Sequence, residues 1–236
     1  MKSIFSYLKK RRIKILLYHS ISDNHKDPCN VQIKDFEEQM KWIVDNGYKV
    51  ISLKEALESL NKDNIQERSI VLTFDDGFVD FSENALPILN KYNFKATIFI
   101  VTSQVGKMSN WRDNNLNLPL MDWKELEEIA NSGCSIGSHG LYHRDLIGLT
   151  VEGLDKETSV SKQIIFDRLG IAVDSFSYPW GRCSRRELDS VRKAGYRCAV
   201  TAGGRWNNGP ETDRFLLKRI AIERNDSLVS FAKKVI

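Results

Sequence analysis

Ser69-Ile70-Val71-Leu72-Thr73-Phe74-Asp75-Asp76-Gly77 is a run of apolar and β-branched side chains that stops on two adjacent carboxylates. Such a run fits a strand buried in a sheet, and the glycine supplies the turn that ends it. Adjacent residues at a strand end point in different directions, so one carboxylate can bind a cation while its neighbour stays free to take a proton. The simpler alternative is a helix N-cap followed by a surface acid.

The same strand grammar recurs along the chain. Residues 13–19, 49–52, 96–102, 134–138, 174–178, 198–201 and 216–222 also read as short strands, with helical patterns between them, such as 34–46, 53–60, 83–92, 123–132, 154–169 and 185–194. Alternating strands and helices predict an α/β fold with a parallel sheet, and about eight strands suit a barrel related to the TIM barrel. One domain over residues 1–236 is expected, with a basic segment at 1–12. Two helix ends are legible: Asp122 with Glu125 has capping-box spacing, and Asn46-Gly47 is a stop. The irregular stretch 103–121, with Trp111, Asn114 and Asn115, is long enough to be expected as a cleft wall.

The chain has 236 residues, 42% hydrophobic and 28% charged, with a net charge of +4. Part of that charge sits in Lys9-Lys10-Arg11-Arg12, so nucleic-acid binding is not expected. With Ile4, Phe5, Tyr7 and Leu8 beside it, the cluster suits a solvated segment or contact with an anionic membrane surface. No apolar run reaches a membrane span, and the stretch after Lys2 is too short for a secretory signal, so a cytoplasmic location is the expectation. Cys29, Cys134, Cys183 and Cys198 form no metal-finger or redox spacing and are expected as thiols.

Three strand ends carry chemistry. Beside Asp75 and Asp76, the strand 134–138 runs into His139-Gly140-Leu141-Tyr142-His143. Histidines four apart converge on one ion from a helical turn or from a turn adjoining a strand. With an aspartate they make a three-ligand set with open positions, as in catalytic metal sites. The third end, Phe176-Ser177-Tyr178-Pro179-Trp180-Gly181, is a tight turn that can aim backbone N–H groups into a site.

TFDDG, SHGLYH and FSYPWG, in this order and each closing a strand, resemble the motifs of the polysaccharide deacetylases, also called carbohydrate esterase family 4 or the NodB homology domain. The resemblance spans about residues 15–222. It implies a distorted (β/α) barrel of about seven strands and metal-dependent removal of an acetyl group from an N-acetylated sugar. It makes Asp75 the general base and Asp76, His139 and His143 the ligands of one divalent ion. Zinc is the first choice, with nickel, cobalt, iron or manganese as alternatives. The Trp180 N–H becomes the oxyanion donor.

Two positions depart from the common pattern. No histidine follows His143, whereas Tyr18-His19 lies on the first strand. This resembles a permuted branch that includes biofilm poly-N-acetylglucosamine deacetylases, in which His19 is the general acid. Ser177 stands where many members have an arginine that orients the base. Arg219 is the substitute considered, with an exposed salt-bridge arginine as the alternative. His25 is read as a surface residue, Trp111, Trp180 and Trp206 as flat faces for sugar rings or as core or rim residues, and Asp174, Asp213 and Arg214 receive no role. The expected substrate is an N-acetylated sugar polymer or a lipid-linked or nucleotide-linked glycan precursor. Paired aspartates also occur in dehalogenase-type phosphatases, but those need Asp-x-Asp on the first strand. A non-catalytic carbohydrate-binding relative is the other alternative.

Overall fold

The computed structural model describes residues 12–111, 116–203 and 208–236; most of the basic N-terminal cluster, Asn114, Asn115 and Trp206 lie outside them. The strands are β1 (Lys14–Tyr18), β2 (Ser20–Ile21), β3 (Asn30–Val31), β4 (Lys49–Val50), β5 (Ser69–Phe74), β6 (Thr97–Ile100), β7 (Ser135–Ser138), β8 (Ser175–Ser177), β9 (Cys198–Val200) and β10 (Ile220–Ala221). The helices are α1 (Ile33–Asp45), α2 (Leu53–Asn61), α3 (Leu86–Lys91), α4 (Trp123–Asn131), α5 (Val151–Asp155), α6 (Ser161–Leu169), α7 (Arg185–Lys193) and α8 (Leu228–Val235). All eight strands read from the sequence are present. The two-residue ladder of β2 and β3 is an addition too short to carry a periodic signal.

The order around the main sheet is β10-β1-β5-β6-β7-β8-β9, all parallel, with β4 beside the start of β5. The sheet curls until its two edges approach each other. Residues 214–222 link those edges: Leu217 bridges Val200 of β9, and Ile220 pairs with Leu16 of β1. The result is the expected distorted barrel, a curled parallel sheet of seven strands closed by only a few bonds.

Side chains alternate along each strand, and the alternation assigns each to a face. Ile70, Leu72 and Phe74 of β5 join Leu16 and Tyr18 of β1 in the larger apolar cluster, packed under Phe36, Met40 and Ile43 of α1. Val71 and its counterparts Ile15, Phe99, Val200 and Leu217 meet in a second cluster. These residues come from opposite sides of the ring, so they fill the barrel interior. Leu53, Ala56 and Leu57 of α2 plug that interior at the end where the strands begin. Continuing the inward positions to the opposite rim gives His19, Asp75, His139 and Ser177. The core therefore points polar groups to one end only, beyond the last apolar layer.

Several local expectations hold. Asp122 and Glu125 form a full capping box on α4, and Asn46 caps α1 before Gly47, which has φ of 67°. None of the four cysteines is in a disulfide. Among the described residues, no helix is long and apolar enough to cross a membrane.

Candidate active site

Asp75 leaves β5 with its N–H still donating to Tyr18 O, which fixes the carboxylate over the barrel mouth. There it is clamped. Arg219 Nη1 donates to one carboxylate oxygen at 2.7 Å and Arg219 Nη2 to the other at 2.6 Å, while Ser177 Oγ donates to Asp75 Oδ2 at 3.0 Å. The remaining guanidinium donors reach Thr73 Oγ1, Ser177 Oγ and Thr201 O, so all five N–H groups have acceptors. Arg219 is wholly buried, with its cation 5.7 Å from the Phe99 ring that tops the interior cluster. The alternative of an exposed salt-bridge arginine is thereby corrected. Burial alone would raise the Asp75 carboxyl; the Arg219 guanidinium, helped by nearby His139 and His19, outweighs it and holds the group well below the usual carboxylate range.

Asp76 turns the other way. Its φ of 76° is the left-handed conformation that ordinary side chains avoid, and it sends the second carboxylate across the mouth toward β7. Asp76 Oδ1 lies 3.6 Å from His139 Nε2 and 3.5 Å from His143 Nε2. His139 Nδ1 lies 2.8 Å from Ser177 O. A carbonyl can only accept, so Nδ1 is the donor here and Nε2 is the nitrogen turned toward Asp76. Burial, against the pull of the Asp76 carboxylate, pushes His143 down to about 3, leaving its imidazole neutral. The two histidines come from an irregular turn adjoining the strand, with His143 at φ of 59°.

These three donors fit a metal. Their ligand atoms lie within 4.8 Å of one another and all three residues are buried. A tetrahedral zinc with bonds of about 2.0–2.1 Å needs donors about 3.3–3.4 Å apart, close to the two separations from Asp76 to the histidines. One carboxylate and two imidazoles leave an open coordination position, the donor set of a catalytic rather than a structural site.

The triad lines a cleft of about 320 Å³ that also takes in His19, Trp111, Trp180 and Gly181. His143 is stacked on Trp111 at 4.6 Å and meets Trp180 edge-on at 5.0 Å. Trp180 is half exposed on the rim, at φ of 61°, inside the turn Pro179–Gly181. Thus the structure brings His19, Asp75, Asp76, His139, His143, Trp180 and Arg219 to one rim, from segments far apart in the chain. Asp174 and Asp213 instead pair with Arg197 and Arg192.

Sequence reasoning missed the wall formed by Asp27, Pro28 and Cys29. It also misread His25, which is not a surface residue but half-buried, with Nε2 2.9 Å from Ser20 Oγ. Asn30, donating to Ser22 O and His25 O, pins the same loop. The acid followed by proline at 27–28 was the available signal of a fixed turn.

A family model described as polysaccharide deacetylase matches residues 62–199, more than half of the chain. YxkH of Bacillus subtilis (strain 168), assigned to the polysaccharide deacetylases, is 35% identical over 194 residues, or 82% of this chain and 65% of that protein. A poly-beta-1,6-N-acetyl-D-glucosamine N-deacetylase of Staphylococcus aureus (strain MSSA476) is 28% identical over 190 residues, or 77% of this chain and 64% of that relative. The chain thus spans just under two thirds of the length of these relatives. The Streptococcus pyogenes deacetylase PplD, solved in complex with acetate, superposes with a TM-score of 0.83 at 25% identity, over 95% of this chain and 98% of that one. IcaB from Ammonifex degensii shares the fold, with a TM-score of 0.83 at 20% identity, over 95% of this chain and 97% of that one. Sequence and fold agree over the segments that carry the clamped aspartate and the histidine turn: the chain belongs to the polysaccharide deacetylase family.

Proposed function

We propose that the chain hydrolyses the amide of N-acetylated sugar units in a polysaccharide, releasing acetate and a free amine. The observation that carries this reading is the division within the Asp75-Asp76 pair. One carboxylate is held by Arg219 outside the donor set, and the other faces the imidazoles of His139 and His143 within it.

Asp75 is assigned the role of general base. Its carboxylate is ionised throughout the neutral range, but a carboxylate stabilised this far is a weak base. When bound by Asp76, His139 and His143, a divalent ion supplies what this base lacks, acidifying a water and polarising the amide oxygen. Asp75 takes the proton as the water adds to the carbonyl carbon. The Trp180 N–H is assigned to the developing oxyanion. His19, on the β1 side of the cleft, is assigned the proton delivered to nitrogen as the C–N bond breaks. Trp111 and Trp180 offer flat faces to sugar rings. A polymer is preferred to a lipid-linked or nucleotide-linked precursor because the substrate named for the S. aureus relative is a polymer.

The test is acetate release from N-acetylglucosamine oligomers, with metal content measured on the same preparations. Asp75→Asn is expected to lower turnover by about 10²–10⁴-fold while metal occupancy stays at the wild-type level. Loss of the metal in Asp75→Asn would show that the two aspartates have been assigned the wrong way round. Wild-type protein that binds metal but releases no acetate would redirect the search to other acyl groups.

A further inference from the structure

The helix behind β7 presents an unusual inward face. Between α5 and α6 it passes through a π turn, Lys156–Val160, and the residues turned inward there are Glu157, Thr158 and Ser161, each at most 1% exposed. A helix face against a sheet is ordinarily apolar, and π turns insert a residue that re-aims side chains, often near functional sites. Thr158 Oγ1 donates to Leu154 O within the helix, and Ser161 Oγ, 2.7 Å from Glu157 O, also lies 2.9 Å from Ser138 Oγ of β7. Glu157 reaches the backbone of the histidine turn.

Glu157 Oε2 accepts the N–H of Leu141 at 2.7 Å and the N–H of Tyr142 at 3.0 Å. Those two residues lie between His139 and His143. On the other side of the turn, Thr102 N–H and Ser103 N–H donate to Gly140 O and Leu141 O. Gly140 is at φ of 80°, and a Cβ there would sit 2.6 Å from Glu157 Oε2, so the glycine leaves the room the carboxylate occupies. The other oxygen, Oε1, is buried with no hydrogen-bond partner among the described residues. Burial raises the Glu157 carboxyl above its ordinary range. A buried acid in a helix is costly, and here its contacts go to the backbone between two metal donors.

We propose that Glu157 is a positioning residue for the metal triad. By fixing the Leu141 and Tyr142 amides it sets the path of the His139–His143 turn, and so the convergence of both Nε2 atoms on Asp76. This inference rests on the metal-site reading above. It predicts that Glu157 governs metal affinity without touching the ion, as outer-shell partners of metal ligands do.

The experiment titrates wild type, Glu157→Ala and Glu157→Gln with Zn²⁺ against a chromophoric chelator, and records the visible spectrum of each with Co²⁺. The urea midpoint of each metal-free protein is measured in parallel. Glu157→Ala is expected to bind Zn²⁺ about 10–100-fold more weakly and to show an altered Co²⁺ spectrum. Glu157→Gln keeps one acceptor oxygen and is expected to recover a substantial part of that loss. Zn²⁺ affinity within about twofold of wild type in Glu157→Ala, with only the urea midpoint lowered, would make Glu157 a structural residue and overturn the proposal. If Glu157→Ala does not fold, Glu157→Asp decides by the same criteria, because its shorter side chain withdraws the carboxylate from both amides. Wild-type protein that binds neither Zn²⁺ nor Co²⁺ would overturn the metal-site reading and this inference together.

Discussion

Arg219 and Asp75 show how much one pair can decide at the scale of residues. Both are buried, so truncating either leaves an uncompensated charge. Breaking such a pair from one side costs about 3–5 kcal/mol, although replacing both partners costs far less. Arg219→Ala is therefore expected to lose about that much stability in urea denaturation of the metal-free protein. Asp75→Asn combined with Arg219→Ala should lose clearly less than the sum of the single variants, and an additive result would show that the two side chains do not depend on each other. The residues with chemistry were legible because TFDDG and the histidine pair are local signals. The partner of Asp75 was legible only as one of two alternatives, since Arg219 lies 144 positions away and nothing in its neighbours separates a buried clamp from an exposed salt bridge. Ser177 illustrates the same limit. In the sequence it marked a missing arginine, whereas in the structure its hydroxyl relays between that arginine's replacement and the base.

The elements act through their ends. Every strand of the barrel was readable from its apolar run, and the alternation within each run already fixed which terminal side chains face inward. What the runs did not show was the conformation just past them. Asp76, His143 and Trp180 all adopt positive φ without being glycine, and all three sit at the site. Only the folded surroundings hold such conformations, so no propensity announces them. The turn after β8 gives the sharpest test. Gly181 has φ of 67°, and a Cβ there would lie 2.2 Å from Ala202 Cβ and 2.5 Å from Ala202 N. Gly170, which ends α6 at φ of 66°, has nothing within 4 Å of an added Cβ. Gly170→Ala should thus cost only the left-handed penalty of about 1–2 kcal/mol. Gly181→Ala adds overpacking of about 1–3 kcal/mol, and it should also depress turnover by moving the Trp180 N–H. Equal urea midpoints for the two variants would mean that the turn yields where the structure shows it close-packed.

Taken as a whole, the barrel is closed by its chemistry at one end and by its core at the other. At the end where the strands begin, α2 plugs the interior with Leu53, Ala56 and Leu57. Across the mouth there is no apolar plug among the described residues. Instead Arg219, from the segment that joins β9 to β1, reaches Asp75 on β5 and Thr201 beyond β9, and His139 on β7 bonds Ser177 O on β8. From β5 across to β7 the donors Asp76, His139 and His143 face each other over the mouth. An ion held there would add a further fastening to the rim. The apolar clusters lie below the mouth and do not depend on it, so removing the ion should lower stability without unfolding the chain. A ligand held only by the native state at 1,000 times its dissociation constant contributes about 4 kcal/mol, and a chain of this size shifts by about 2–4 °C per kcal/mol. Chelation is accordingly expected to lower the melting temperature by roughly 8–16 °C, with the far-ultraviolet circular dichroism at 25 °C unchanged. His139→Ala should melt at the same temperature with and without chelator, and a chelator effect that survived in it would place the stabilising ion elsewhere in the molecule.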